Sequence, residues 1–338
     1  LPYKNGYLST VCCDIAFLKK TGLSRPQRAA KRPHGIFTFT GGVRVIPKTY
    51  QIITDAACDL PEDLVEQCGL AVIPMIFTMD GKEYHQYSDH HEYPADRFFD
   101  ALRHGHWATT TQIPVATFEE FFTPYLEKGL DILYIGFSSG LSGTWQRACQ
   151  AVELLREKYP DRHIEAVDSL TATLGQGLLV YLASQKQKEG LTLHELKAWV
   201  EVYRMCMSGW FMVDDLNHLK RGGRVSAATA FVGSMLSIKP ILQIDNEGHL
   251  IVREKARGRK QALDRLFQKM ETRFTDNPDL QTVFIVEADC KDDAKAMAKR
   301  IQARFKPKKI MIHTLGPVIG SHTGPGAFAI FYPAKNRD

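Results

Sequence analysis

From Tyr50 onward, short apolar runs alternate with longer amphipathic stretches. Tyr50–Thr54 reads as a strand, residues 55–59 as a turn, and a helix opens at Glu62. Leu70–Phe77 is a β-rich run, and Asp80-Gly81 behind it is a hairpin-turn signal. Helices are predicted over Pro94–Arg103 and, from the capping box Thr117-Phe-Glu-Glu120, to about Lys128. A strand from Ile132 to Phe137, a helix from Trp145 to Tyr159, a strand at Ile164–Val167 and an apolar helix from Thr173 to Gln187 follow. A second capping box, Thr192-Leu-His-Glu195, opens a helix to about Met207. Repeated strand–helix units imply a mostly parallel sheet with helices on both faces. Ligands of such folds sit beyond the carboxyl ends of the strands. Asp55, the loop at Ser138 and Asp168 each follow a predicted strand, so all three belong at one sheet edge.

The style changes from Trp210. Short strands alternate with a turn at Arg221–Arg224, an apolar helix at Ala227–Leu236, a strand at Pro240–Ile244 and a hairpin around Asp245–Gly248. A helix from Arg259, a strand at Thr282–Glu287, a helix at Asp292–Phe305 and a strand at Ile310–Leu315 complete the pattern. The expected class is α/β. Residues 1–48 form an extension, 49–205 an N-terminal domain with a mostly parallel sheet, and 206–338 a second α/β domain with a mixed sheet.

Composition changes this picture in one place. The chain has 338 residues, 44% hydrophobic and 24% charged, as in an ordinary soluble protein, and no apolar run approaches bilayer length. Residues 1–48 carry nine lysines and arginines against Asp14 alone, a net of +8, which leaves −3 for residues 49–338 of the total +5. The basic character therefore belongs to an appendage, read as disordered or as translated upstream of the true start. It lacks the interleaved aromatics of a nucleic-acid platform, and Lys19-Lys20 stand where a signal peptide has small residues. The seven cysteines include no C-x-x-C pair, which argues against a metal framework or a secreted disulfide scaffold and for a reducing cytoplasm. Cys58, Cys149, Cys206 and Cys290 lie in apolar or helical surroundings and read as small core residues.

The candidate chemistry lies in Gly136-Phe-Ser138-Ser139-Gly140-Leu-Ser142-Gly143-Thr144, between a strand and a helix. Backbone N–H groups at such a helix start, with serine hydroxyls beside them, make a seat for a carboxylate or phosphate. The same residues fit the nucleophile elbow G-x-S-x-G, with an Asp and then His322 in the chain order of a serine hydrolase. No His-Gly-Gly oxyanion segment precedes it, and the flanking serines fit a hydrogen-bonding cradle better. Neither G-x-G-x-x-G after a strand nor G-x-x-x-x-G-K-[ST] occurs, so the chain is not expected to hold ATP itself.

Several segments together resemble the DegV family. They are Thr54-Asp55-Ala-Ala-Cys-Asp59-Leu-Pro61, Thr110-Thr111-Gln112, Ser138 to Thr144, Asp168-Ser169 with Gly175-Gln-Gly177, Gly222-Gly223-Arg224 and Gly320-Ser-His322-Thr-Gly324-Pro-Gly326. The resemblance spans roughly residues 50–333 and implies a two-domain α/β fold with one long-chain fatty acid between the domains. It also implies a non-catalytic bacterial protein that presents the carboxylate to a separate ATP-binding kinase subunit, with no cofactor, no nucleic acid and at most transient membrane contact. Two departures stand out: Ala56 replaces the usual serine after Asp55, and Thr111 replaces the serine of Thr-Ser-Gln-Pro, with the proline one place later at 114.

The resemblance makes Thr110 a donor to the carboxylate and His322 its neighbouring histidine. Thr111, Ser138, Ser139, Gly140, Ser142 and Arg224 complete the expected binding set. Ser138 and Ser139 are the favoured loop contacts, with N–H groups from Gly140 onward; Arg224 could equally be a solvated turn residue or face the kinase. Phe231, Met235, Leu236 and Ile241 are the expected lining of the acyl tunnel.

Overall fold

The structure, a computed structural model, describes residues 49–226, 238–275, 277 and 280–337. The basic extension and the expected helix at Ala227–Leu236, with Phe231, Met235 and Leu236, lie outside the described residues.

The first half runs β1 (Tyr50–Asp55), a 3-10 turn (Ala56–Cys58), α1 (Glu62–Cys68), β2 (Ala71–Ile73), β3 (Met75–Met79), β4 (Lys82–Gln86), α2 (Ala95–Arg103) and β5 (Ala108–Thr110). It continues through α3 (Val115–Glu127), β6 (Asp131–Gly136), α4 (Thr144–Lys158), β7 (Ile164–Asp168), α5 (Leu174–Lys188) and α6 (Leu193–Tyr203). Strands β2, β1, β6 and β7 pair in that order as an all-parallel sheet. Every residue of β1 is buried, as expected of a strand covered on both faces.

Two local readings need correction. The run Leu70–Phe77 is not one strand. Pro74, which has no N–H to give a ladder, separates β2 in the parallel sheet from β3, which pairs antiparallel with β4 and β5. The predicted capping box at Thr117 lies inside α3, because Pro114, with its fixed φ of −65°, starts the helix at Val115. The hairpin at Asp80-Gly81 forms as read, with φ of 51° and 80° at its two central residues. The second capping box forms too: Glu195 N donates to Thr192 Oγ1 and Thr192 N to Glu195 Oε2.

The second half runs β8 (Met207–Met212), α7 (Leu216–Arg221), β9 (Ile238–Ile244), β10 (Leu250–Arg257), α8 (Arg259–Arg273), β11 (Thr282–Glu287), α9 (Lys291–Phe305), β12 (Lys309–Thr314), α10 (Pro317–Thr323) and β13 (Phe328–Pro333). Its six strands take the order β10-β9-β8-β13-β11-β12; only β11 and β12 are parallel. Period-two alternation divides the faces. Leu242, Ile244, Phe284, Val286 and Phe331 join the core shared with the parallel sheet, whereas Trp210, Met212, Ile241, Ile285 and Ile330 pack under α8 and α9. The apolar helix α5 lies between the sheets, against β8, β11 and β13. Helix α10 crosses back to pack on β3, β5 and α2. No helix among the described residues is long and apolar enough to cross a membrane.

Candidate functional site

The carboxyl ends of β1, β6 and β7 lie side by side, and two carboxylates staple the glycine–serine loop to them. Asp55 is buried and accepts from Tyr134 Oη (2.6 Å), Phe137 N (2.9 Å), Ala57 N (3.2 Å) and Gln176 Nε2 (3.2 Å). Burial pushes its carboxyl above the ordinary range, against these four donors. Asp168 accepts from Ser139 N (3.2 Å) and Leu170 N (2.9 Å).

The loop's own amides are turned inward. Gly140 N donates to Ser138 Oγ, Leu141 N and Ser142 N to Ser138 O, and Thr144 N to Ser142 Oγ. The expected anion seat of loop N–H groups is therefore not what this loop offers. Ser138 is fully buried, and its Oγ donates to Gly248 O (2.9 Å) in the β9–β10 hairpin. Gly140 presses on the same hairpin; a Cβ there would lie 2.9 Å from Glu247 O. Ser138, Ser139 and Gly140 tie the loop together, and none of the three lines the cavity beside it. Ser142 does line it.

That cavity lies between the parallel-sheet edge and the inner face of the six-stranded sheet, and encloses about 990 Å³ of atom-free space, partly open to solvent. One end is polar, with Thr110, Thr111, Gln112, Ser142, Arg224 and His322. The rest is mostly apolar, with Phe211, Ile244, Leu250, Val286, Leu315 and Phe331 among its walls beside Thr173 and Thr323. Thr110, at the end of β5, and His322, in α10, meet across 212 residues of sequence: Thr110 Oγ1 and His322 Nε2 are 2.8 Å apart. Burial first, and then the charge of Arg224, push the imidazole down to about 4, so it is neutral at physiological pH. His322 Nδ1 has no partner among the described residues. Arg224 donates from Nε to Leu141 O (3.1 Å) and from Nη1 to Gly222 O, which fixes the guanidinium at the polar end. Gly222 leaves room for the ring: a Cβ there would fall 2.2 Å from His322 Nδ1.

His322 is not in a loop, as its glycine-rich surroundings implied. Pro317 at the first helical position and Gly324 just past the end, with φ of 74°, enclose a short helix. That pair of signals was present in the sequence. The hydrolase arrangement is not assembled, because Ser138 is bonded to Gly248 and His322 to Thr110.

The sequence profile of the DegV family, described as uncharacterised proteins, matches residues 49–335. This chain belongs to the DegV family. A DegV domain-containing protein of Clostridium perfringens is 44% identical over 291 residues, covering 86% of this chain and 99% of that protein. One from Streptococcus pyogenes is 36% identical over 288 residues, covering 85% and 99%. Among solved structures, a DegV protein of Thermus thermophilus described as fatty-acid binding superimposes with a TM-score of 0.75 at 29% identity, covering 85% of this chain and 99% of that one. The Bacillus subtilis DegV, also described as a fatty acid binding protein, gives 0.73 at 27% identity, covering 85% and 99%.

Of the tunnel residues expected of a DegV protein, Ile241 is misplaced. It is fully buried, but on the face of β9 that packs under α8 and α9. Its neighbours Leu242 and Ile244 point the other way, and Ile244 lines the cavity. Gln112 stood in a DegV motif but not in the expected binding set, and the aromatic pair Phe211 and Phe331 was in neither. Alternation within β8 and β13 was the signal for the two phenylalanines, and β13 was not read as a strand.

Proposed function

We propose that this DegV protein binds one long-chain fatty acid in the cavity between its sheets, with the carboxylate at Thr110, Ser142, Arg224 and His322. The observation that carries this reading is the cavity's division: one polar end bearing a single arginine, and mostly apolar walls elsewhere. An anion buried without donors is costly, and this end supplies a guanidinium and hydroxyls. The tail supplies most of the affinity, since each buried methylene contributes about 0.8 kcal/mol. With His322 Nε2–H donating to Thr110 Oγ1, the threonine proton is free to point at a carboxylate oxygen. The fatty-acid-binding relatives from Thermus thermophilus and Bacillus subtilis support the same ligand class.

The protein is non-catalytic by itself. It presents the carboxylate to a separate ATP-binding kinase subunit for acyl-phosphate formation in the bacterial cytoplasm, and its two halves, 49–205 and 206–338, act as domains around the ligand. Native mass spectrometry of the protein purified from a heterologous host should show one bound fatty acid, or uptake of added palmitate or oleate after delipidation. Apo protein with no uptake of either sinks the reading.

A further inference from the structure

The start of α10 is held from the other half of the chain. Its N-cap residue, Gly316, has no side chain, and no side chain of the helix's own residues caps it. Gly316 N donates instead to Asp59 Oδ1 (3.2 Å), and Val318 N to Gln86 Oε1 (2.7 Å). The two acceptors are locked together, since Gln86 Nε2 donates to Asp59 Oδ1 (3.0 Å) and to Ala56 O (2.8 Å). The second carboxylate oxygen, Asp59 Oδ2, accepts from Thr173 Oγ1 at 2.6 Å. Thr173 lines the cavity too, with φ of 47° and ψ of −138°, a left-handed backbone that β-branched residues avoid. Such a conformation persists where neighbouring bonds over-determine it, and the short bond to Asp59 is one of them. The fit is close: a Cβ on Gly316 would lie 2.3 Å from Gln86 Nε2 and 2.5 Å from Asp59 Oδ1.

We propose that Asp59 and Gln86 are positioning residues of the head-group seat. By capping α10 and anchoring Thr173, they set where His322 stands relative to Thr110. Helix α10 is only seven residues long, with His322 in its last turn, so a shift at its start is carried directly to the imidazole. Neither Asp59 nor Gln86 lines the cavity, so neither is placed to touch the ligand. Their functional consequence rests on the fatty-acid reading above; the geometric claim does not.

The test uses the full chain carrying Asp59→Asn, Gln86→Ala, Gln86→Glu or Gly316→Ala. The last pushes a methyl group against both partners without changing a charge. Gln86→Glu keeps an acceptor for Val318 N. Histidine ring 15N shifts, followed through a pH titration of delipidated protein, report the environment of His322 directly. In the parent protein the ring should stay neutral down to about pH 4. In the variants its midpoint should rise toward the ordinary 6.5, less for Gln86→Glu than for Gln86→Ala. His313 in β12, also held down to about 4, is the internal control and should not move. An unchanged His322 midpoint in a variant that folds overturns the proposal, as does His322 and His313 shifting together. Palmitate affinity should fall only a few-fold, while kinase-coupled acyl-phosphate formation falls at least about tenfold. If the parent protein takes up no palmitate but His322 still shifts in the variants, the fatty-acid reading fails and the positioning role stands.

Discussion

The pairing of a threonine hydroxyl with a buried neutral imidazole sets what each residue of the polar end contributes. Thr110→Val and His322→Ala should each weaken acyl binding modestly. A single hydrogen bond contributes about 0.5–1.5 kcal/mol net, and one to a charged group about 1.5–3, against a tail worth far more. In the proposed phosphorylation, the attacking carboxylate oxygen must be held in line with the phosphate donor, so acyl-phosphate turnover should fall much further. Lipid affinity and coupled turnover measured on the same two variants check this; unchanged turnover in both removes them from the site. Protonation adds a second prediction. His322 is held down to about 4, so between 4 and 6.5 the unfolded chain binds a proton that the folded one refuses. Its stabilisation is complete above 6.5 and is lost as pH falls toward 4. Asp59, pushed up to about 7 by burial, has the opposite sign: its contribution is complete in acid and declines as pH rises through about 7. Urea midpoints across this range should therefore lose part of their acid-side fall in His322→Gln and part of their alkaline-side fall in Asp59→Asn. Residues of this kind are half legible in a sequence. The motifs led to Thr110, Ser142, Arg224 and His322, but three serines within five positions look alike until the chain folds. Which one faces the cavity depends on the hairpin at Gly248, more than a hundred residues downstream.

Among the elements, the loop after β6 and the β9–β10 hairpin are joined by Ser138. Ser138→Ala leaves Gly248 O without its donor, and an unsatisfied buried group of this kind costs about 1–3 kcal/mol. The variant should melt at a lower temperature and still bind palmitate. The parent protein should not label with a fluorophosphonate, and stoichiometric labelling at Ser138 would contradict the geometry. The strands and helices themselves were largely readable, because period-two and period-3.6 patterning is a local property. What failed was decided elsewhere. One proline sent β3 to a different sheet from β2, another moved the start of α3, and β13 lay hidden behind a glycine-rich stretch. Ile241 was misjudged although the needed signal was present: in β9 it alternates with Leu242 and so faces the other core.

At the scale of the molecule, the cavity is walled by both halves, so a ligand there favours the folded over the unfolded chain. Palmitate at about one hundred times its dissociation constant should add about 2.7 kcal/mol, and the melting temperature should rise with lipid concentration. A lipid-independent melt would place any binding outside the folded cavity. The topology of the six-stranded sheet governs when that cavity comes into being. Strand β13, the last of the described strands, pairs on one side with β8 and on the other with β11. During synthesis both of those strands wait with open edges until Phe328–Pro333 has left the ribosome, since residues emerge in order. A nascent chain that still lacks β13 thus has no closed cavity. Ribosome-stalled chains ending before Phe328 should be sensitive to protease in β8 and β11 and should retain no acyl chain. The cavity can therefore close around a ligand only once β13 has been added between β8 and β11, which makes that strand the latch of the site.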